Sequence, residues 1–404
     1  MRHEAALTFD RRHYPFPVKA RHLLVIAAAT LVLATGWLPL GDALELARRT
    51  GPILVFVVAI TAYSELCAVC GLFDAAAGVA VRAATGRRFL LWLAVATLAT
   101  LCTVALSLDT TAVLLTPVVL AMARRTGSTA LPLAMTVLAL SNTASLLLPV
   151  SNLTNLLAAP DLARHGTRYV AVMALPAVIV LATTLLVLSL LHRRGISGRF
   201  VSAPGPRPDD PVLVRIAAAV TTVMVAGFVA GQDYALVATA GTLALGAAVL
   251  VRRRSLVVPV ADLVPWPMLI TVAGLFVVVA GAHEHGLADL ASRIAGTGSG
   301  PVDLAQLAVA GAVSANGINN LPAFLALSPV VLGDAVRTAV LLVAVNAGPL
   351  ITPWGSLATL LWWRQVRRHG DPTDQPGWRQ VVGQGLVLAP LAVGAGTLSI
   401  TLVR

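Results

Sequence analysis

A chain of 404 residues with 57% hydrophobic and only 12% charged residues, at a mean hydropathy of +0.85, cannot be a soluble domain and is a polytopic membrane protein. Its formal charge of +11 suggests nucleic acid at first sight, but Lys19 is the only lysine, and the arginines lie in short loops beside apolar segments rather than on one basic face. Cys67, Cys70 and Cys102 all sit in apolar stretches; they supply no disulfide framework and read as small buried apolar residues.

Residues 1–20 form a basic, Pro-containing lead that runs into a segment long enough to span, so no cleavable signal peptide is expected. About 20 apolar residues cross the hydrocarbon core. On that criterion spans are expected at 21–40, 52–72, 131–157, 169–191, 212–229, 234–251, 264–282, 335–361 and 383–402. Two further apolar pieces, 89–123 and 302–333, are bent near the middle by polar residues. The stretch 193–211, RRGISGRFVSAPGPRPDDP, is rich in Gly, Pro and Ser and reads as a linker between a first half, 21–192, and a second, 212–404. A second polar loop covers 364–380, and neither loop contains a phosphate-binding Gly-rich motif.

Spans 131–157 and 335–361 break themselves. SNTASLLLPVSNLTNLL (141–157) and NAGPLITPWGSLATLLWW (346–363) carry Pro149 and Pro353 among polar side chains, and such breaks survive in lipid only where protein or a polar cavity satisfies the freed backbone groups. The two stretches align without a gap at an offset of 204, Asn142 on Asn346 and Pro149 on Pro353. LDTTAVLLTPVVL (108–120) matches NNLPAFLALSPVVL (319–332) with one insertion, which sets Asp109 opposite Asn320. Likewise 264–296 falls on 52–86, with Gly286 and Asp289 on Gly71 and Asp74, and 234–251 falls on 21–40. The crossing 212–229 has no counterpart, so the second copy is expected to be inverted. Interrupted segments at matching points of two halves point to the binding site of a secondary transporter.

Nine crossings from a cytoplasmic N-terminus leave only Arg48, Arg49, Arg164, Arg168, Arg293, Arg337 and Arg404 outside and put the other 22 of 29 basic residues on the cytoplasmic side. A multi-pass protein of the plasma membrane is expected.

NNLPAFLALSPV, NAGPLITPWGSLATLLWW and SNTASLLLPVSNLTNLL, with Asp109-Thr110-Thr111 and Gly71-Leu72-Phe73, closely resemble the arsenical efflux permeases of the ArsB/NhaD group. That group lies within the ion-transporter superfamily that includes citrate and dicarboxylate carriers. The resemblance covers Arg21 to the C-terminus and implies an all-α fold of two inverted-topology repeats, each with a re-entrant hairpin and a broken transmembrane helix. Asp109-Thr110-Thr111 and Asn319-Asn320 would be the hairpin tips. It also implies export of arsenite or antimonite in exchange for protons. Family members usually carry another apolar segment at the start, where this chain has RRHYPFPVKA.

The polar groups expected to gather at the breaks and tips are Thr110, Thr111, Ser141, Asn142, Thr143, Ser145, Ser151, Asn152 and Asn155 from the first half. The second half offers Asn316, Asn319, Asn320, Asn346, Thr352, Ser356 and Thr359. Hydroxyls and amides suit a small neutral hydroxylated solute, whereas isolated polar residues such as Thr183 or Thr242 read as packing hydrogen bonds. Asp109 is the expected proton or cation carrier, followed by Glu65 near the middle of span 52–72, for which a protonated packing hydrogen bond is the competing role. His283-Glu284-His285 does not have the i, i+4 spacing of a helical zinc site, so no metal is expected, and no cofactor is implied. The rivals are a sodium–proton antiporter, a sodium-coupled anion carrier, and a membrane-embedded enzyme, for which no nucleophile, base or metal set is found. The partners expected are the bilayer, a small inorganic solute, and protons or sodium, with no nucleic acid. A homo-oligomer and a cytoplasmic ATPase partner are left open.

Overall fold

The computed structural model describes residues 18–201, 208–253, 263–371 and 375–402; most of the lead, the middle of the linker and part of the 364–380 loop lie outside these. Its helices in chain order are α1 (Val18–Ala34), α2 (Leu40–Val69), α3 (Leu72–Ala83), α4 (Arg88–Ala105), α5 (Leu108–Thr110), α6 (Thr116–Thr126), α7 (Ala130–Thr143), α8 (Leu153–Arg164) and α9 (Tyr169–Leu191). After the linker come α10 (Pro211–Val229), α11 (Tyr234–Arg253), α12 (Trp266–Ala282), α13 (Ala288–Ala295), α14 (Pro301–Ile318), α15 (Asn320–Leu327), α16 (Ala335–Ala347), α17 (Leu357–His369) and α18 (Trp378–Leu402). Among the described residues the sole β pairing is the isolated bridge between Arg87 and Arg199, and eight helical stretches are long and apolar enough to cross a membrane. The chain is thus an all-α polytopic membrane protein.

It divides into two compact units, residues 1–50 with 265–287, and 51–264 with 288–404. In the first, α1 lies along α12. The Trp37 ring stacks on His285 at 4.4 Å between centroids, and His285 Nδ1 lies 2.9 Å from the Gly281 carbonyl oxygen, so this histidine is engaged by an aromatic ring and its own backbone.

Most helix limits follow the apolar pattern to within a few residues; the end of α1, the start of α18 and, most of all, the start of α2 do not. The sequence sets a span to begin at 52, yet α2 begins at Leu40 and runs through Pro52 for 30 residues. Proline removes one hydrogen bond from a helix interior; here the preceding turns are polar and carry a Glu45–Arg49 pair one turn apart, which favours continuation. At 1.5 Å per residue α2 is about 45 Å long, more than the hydrocarbon core requires.

The second unit is built around two helices that are buried nearly all round. In α7 every residue from Pro132 to Thr143 is buried, and in α16 every residue from Arg337 to Ala347. A helix without a polar face belongs in a core, and these are the two that break. After α7 the chain makes two short 3-10 turns, Ala144–Leu147 and Pro149–Ser151, separated by extended Leu148, before Asn152 caps α8. After α16 it leaves helix at Gly348 and resumes in α17, capped by Ser356. A Cβ on Gly348 would lie 2.8 Å from that of Ala312 in α14, so only glycine admits this approach. The caps Asn152 and Ser356 stand at the same 204-residue offset that the sequence set for Asn142 and Asn346.

The unit also contains two helical hairpins. The first descends along α4, reverses at Leu106 and Ser107, and returns through α5, a π turn at Thr111–Leu115 and α6. Its base is closed by Arg88, whose Nη2 donates to the Gly127 carbonyl at 3.0 Å. The second descends along α14, reverses at Asn319, where φ is 95°, and returns through α15. The Arg337 guanidinium closes that base by donating to the carbonyls of Val330 at 3.1 Å, Gly296 at 2.6 Å, and Gly298. Ser299 adds a bond to Asp334 at 2.9 Å.

The hairpin register corrects one expectation. Ser107 caps the first return arm and Asn319 the second, so the repeats align from Ser107 and Asn319 to Leu120 and Leu332 with no insertion, and Asp109 stands opposite Leu321 rather than Asn320. A helix cap sets where a return arm starts, and an alignment that opens an insertion to pair Asp109 with Asn320 does not detect it.

Candidate functional site at the hairpin tips and helix breaks

Ser107 organises the first hairpin tip. Its Oγ accepts the Thr110 N–H at 3.2 Å and donates to Thr110 Oγ1 at 3.0 Å. Thr110 Oγ1 donates onward to Ser64 at 3.0 Å. Thr111 Oγ1 donates to the Ser107 carbonyl at 3.0 Å and accepts from Thr103 at 2.9 Å. With Ser107 as the cap, Asp109 in the first turn has no capping work. It is half-buried, and its Oδ1 is buried with no hydrogen-bond partner, although a buried acceptor without a partner is costly. The π turn that follows is a distortion frequent at functional sites.

At the break between α7 and α8 an amide from the other half of the chain ties the polar side chains together, and residues of the first half satisfy the freed carbonyls. Asn346 of α16 is completely buried. Its Oδ1 accepts from Ser145 Oγ at 3.0 Å and from Asn152 Nδ2. Its Nδ2 donates to Asn155 Oδ1 at 3.0 Å, Thr154 Oγ1 at 3.3 Å and the Leu342 carbonyl at 2.8 Å. Asn155 Nδ2 in turn donates to the Ser145 carbonyl at 2.7 Å, Ser151 reaches the Val104 carbonyl of α4 at 3.3 Å, and Tyr169 the Leu146 carbonyl at 3.0 Å. The bonds to the Ser145 and Leu146 carbonyls replace what the helix gives up.

Asn142, the repeat counterpart of Asn346, differs. Its Nδ2 donates to the Leu138 carbonyl at 3.1 Å, but its Oδ1, in a side chain 1% exposed, has no partner. Ser141 and Thr143 beside it bond back to the carbonyls of Leu138 and Ala139 at 2.8 and 2.9 Å.

At the second break Asn316 of α14 acts as a clamp. Its Oδ1 accepts from the N–H groups of Ile351 and Thr352 at 3.2 and 3.0 Å, its Nδ2 donates to the Gly348 carbonyl at 2.8 Å, and its own carbonyl accepts from Thr352 Oγ1 at 2.7 Å. Asn319 Nδ2 donates to the Trp354 carbonyl at 2.9 Å and the Asn320 N–H to that of Gly355 at 2.9 Å. Ser356 and Thr359 pair through their hydroxyls at 2.9 Å. The tips also cross over: α15 packs on α8, and α17 packs on the π turn of the first hairpin.

The predicted polar residues therefore fall into two groups. In one, Ser145, Asn152, Asn155 and Asn346 bond to one another at the first break and Asn316 and Thr352 to one another at the second; in the other, Asp109 and Asn142 each keep an open acceptor. Glu65, half-buried in α2, forms no hydrogen bond among the described residues. Ser64, Thr103, Ser107, Thr154 and Tyr169 belong to the assembly and were not singled out from sequence; only Ser107, a serine just before a helical turn, carried a readable signal. The three cysteines are free and buried.

The described geometry has known counterparts. The fold is similar to that of the YdaH transporter of Alcanivorax borkumensis, with a TM-score of 0.60 at 14% identity, covering 95% of this chain and 97% of that one. The sequence is 29% identical over 363 residues to an arsenical pump membrane protein of Escherichia coli, and 29% over 359 residues to one of Yersinia enterocolitica. Each alignment covers 83% of both chains. The model of the citrate transporter family matches residues 9–358. With that match and these breaks, the chain belongs to the citrate transporter family and is a multi-span membrane transporter that resembles the arsenical pump membrane proteins.

Proposed function

We propose that this transporter exports arsenite and antimonite as neutral hydroxides in exchange for protons, with its N-terminus in the cytoplasm. The observation that carries the reading is the pair of unpartnered acceptor oxygens, Asp109 Oδ1 and Asn142 Oδ1, set among hydroxyls and amides. A trihydroxide offers O–H donors to such acceptors. Neither tip nor break contains a basic side chain in sequence, which speaks against recognition of an organic dianion by paired charges. The names of the relatives support the substrate, and Asp109 is the coupling carboxylate, with Glu65 as the second acid. The family match favours one other reading, a sodium-coupled or proton-coupled carrier of citrate-like anions held by helix N-termini.

The test is uptake into everted vesicles under an imposed pH gradient, with arsenite, antimonite, sodium and citrate in parallel. Accumulation of arsenite and antimonite with proton efflux is expected. With no arsenite accumulation, uptake of citrate would assign the site to the anion carrier, and proton-coupled movement of sodium would assign it to a sodium–proton antiporter.

A further inference from the structure

Three arginines that no transport step uses come together on the face that carries most of the basic loops. Helices α4 and α9 both pack on α7. Beside the start of α4 and the end of α9 lies an open cavity of about 570 Å³ lined by Arg87, Phe89, Ser189, Arg193, Ser197 and Arg199. The sequence assigns Arg193 and Arg199 to a linker, yet the backbone beneath them is fixed. Arg87 and Arg199 form an antiparallel bridge; the Phe200 N–H donates to the Gly86 carbonyl at 2.8 Å and the Arg88 N–H to that of Gly198 at 3.1 Å. Phe200, Ile196 and His192 are buried as anchors. Gly86 holds φ at 75°, and a Cβ there would stand 3.2 Å from the Phe200 carbonyl oxygen, so the contact is specific to glycine.

The guanidinium groups of Arg87, Arg193 and Arg199 are exposed and enter no ion pair among the described residues. Like charges held around one cavity repel, and a phosphate, which arginine binds through paired N–H donors, relieves that repulsion. The apolar surface next to the cavity identifies the source of the phosphate. Phe89 and Leu93 lie one turn apart at the start of α4 and are 49% and 41% exposed; Leu190 and Leu186 lie one turn apart at the end of α9 and are 61% and 59% exposed. Both pairs lead from the cavity along helices that enter the membrane. A free phosphate would use only the arginines; a phospholipid uses both surfaces.

We propose that this cavity binds the head-group phosphate of an anionic phospholipid, with the acyl chains lying along Phe89, Leu93, Leu186 and Leu190. Bound there, the lipid offsets part of the repulsion among the arginines and fastens the start of the linker to the membrane surface.

The test uses the full chain purified in a neutral detergent, with lipid adducts counted by native mass spectrometry and the unfolding midpoint followed as phosphatidylglycerol, phosphatidylcholine or inorganic phosphate is added. Phosphatidylglycerol is expected to bind and raise the midpoint, phosphatidylcholine to do neither, and millimolar phosphate not to displace the lipid. The triple variant Arg87→Gln, Arg193→Gln, Arg199→Gln should lose at least tenfold in phosphatidylglycerol affinity, whereas Arg293→Gln, another exposed arginine, should keep it. Equal binding of both lipids, displacement by phosphate, or unchanged adducts on the triple variant overturns the proposal. If the triple variant does not fold, Arg199→Gln alone must weaken binding several-fold, and an unchanged titration overturns the proposal equally.

Discussion

Asn142 and Asn346 occupy equivalent points of the two broken helices, but their amides do different work, and substitution separates the roles. Removing Asn346 leaves the buried Asn152 Nδ2 without a partner and takes one bond each from Ser145 and Asn155, and a buried polar group left unpaired costs about 1–3 kcal/mol. Asn346→Ala should therefore lower the unfolding midpoint in detergent markedly. Asn142→Ala removes an oxygen that has no partner in the protein. Its effect should fall on solute binding, raising KM roughly tenfold, the worth of about one hydrogen bond, with a smaller change in midpoint. A larger loss of stability in Asn142→Ala than in Asn346→Ala would reverse the assignment. Ser107 and Asp109 separate in the same way. Ser107→Ala should cost about 1 kcal/mol as a lost cap and leave the pH profile of transport in place. Asp109→Asn should abolish proton-driven export while downhill exchange persists. If folded Asp109→Asn protein transports with the wild-type rate and pH dependence, coupling passes to Glu65.

Each hairpin is held at its base by an arginine aimed at carbonyl groups, and the second also depends on Asp334, which lies just before α16. Burial alone would push the Asp334 carboxyl up, but the N–H groups of Arg337 and Val336, the Ser299 hydroxyl and the Arg337 charge outweigh it and hold it below the usual carboxylate range. A depressed value in the folded state means that the carboxylate stabilises the fold above the ordinary carboxylate range and that this contribution disappears as pH falls through the folded value. Asp334→Ala should lose about 1 kcal/mol at neutral pH, as expected for a cap. Its midpoint should also fall less than that of the parent chain on acidification to about pH 3; parallel curves would show that Asp334 is not the group responsible. The breaks themselves were legible, because proline and glycine inside apolar runs carry a large local cost, and the 204-residue offset persists down to the caps. The start of α2 was not, since Gly51-Pro52 reads as a stop and one lost hydrogen bond does not end a helix of this length. Nor was the closure of Asn346, Asn152 and Asn155 on one another, for their partners lie almost half the chain away and no local pattern announces them.

For the whole molecule the arginine distribution predicts sidedness, and exposed positions on the described loops test it. In a background lacking Cys67, Cys70 and Cys102, Ser197→Cys should react with an impermeant thiol reagent only from the cytoplasm, and Gln232→Cys, between α10 and α11, only from outside. The opposite pattern would invert the protein. One consequence of the Asn346 network extends to how the polypeptide is made. Its bonds run between the two halves, and so do the Tyr63 bonds to the Ala217 carbonyl and Thr221, the His192–Gln384 bond and the packing of α9 on α18. All of these partners lie outside 202–207. Two separately translated fragments, ending and beginning there, would hold the same buried partners for one another. Continuity of the chain thus serves delivery and stoichiometry, while the joining of one half to the other is written in side chains.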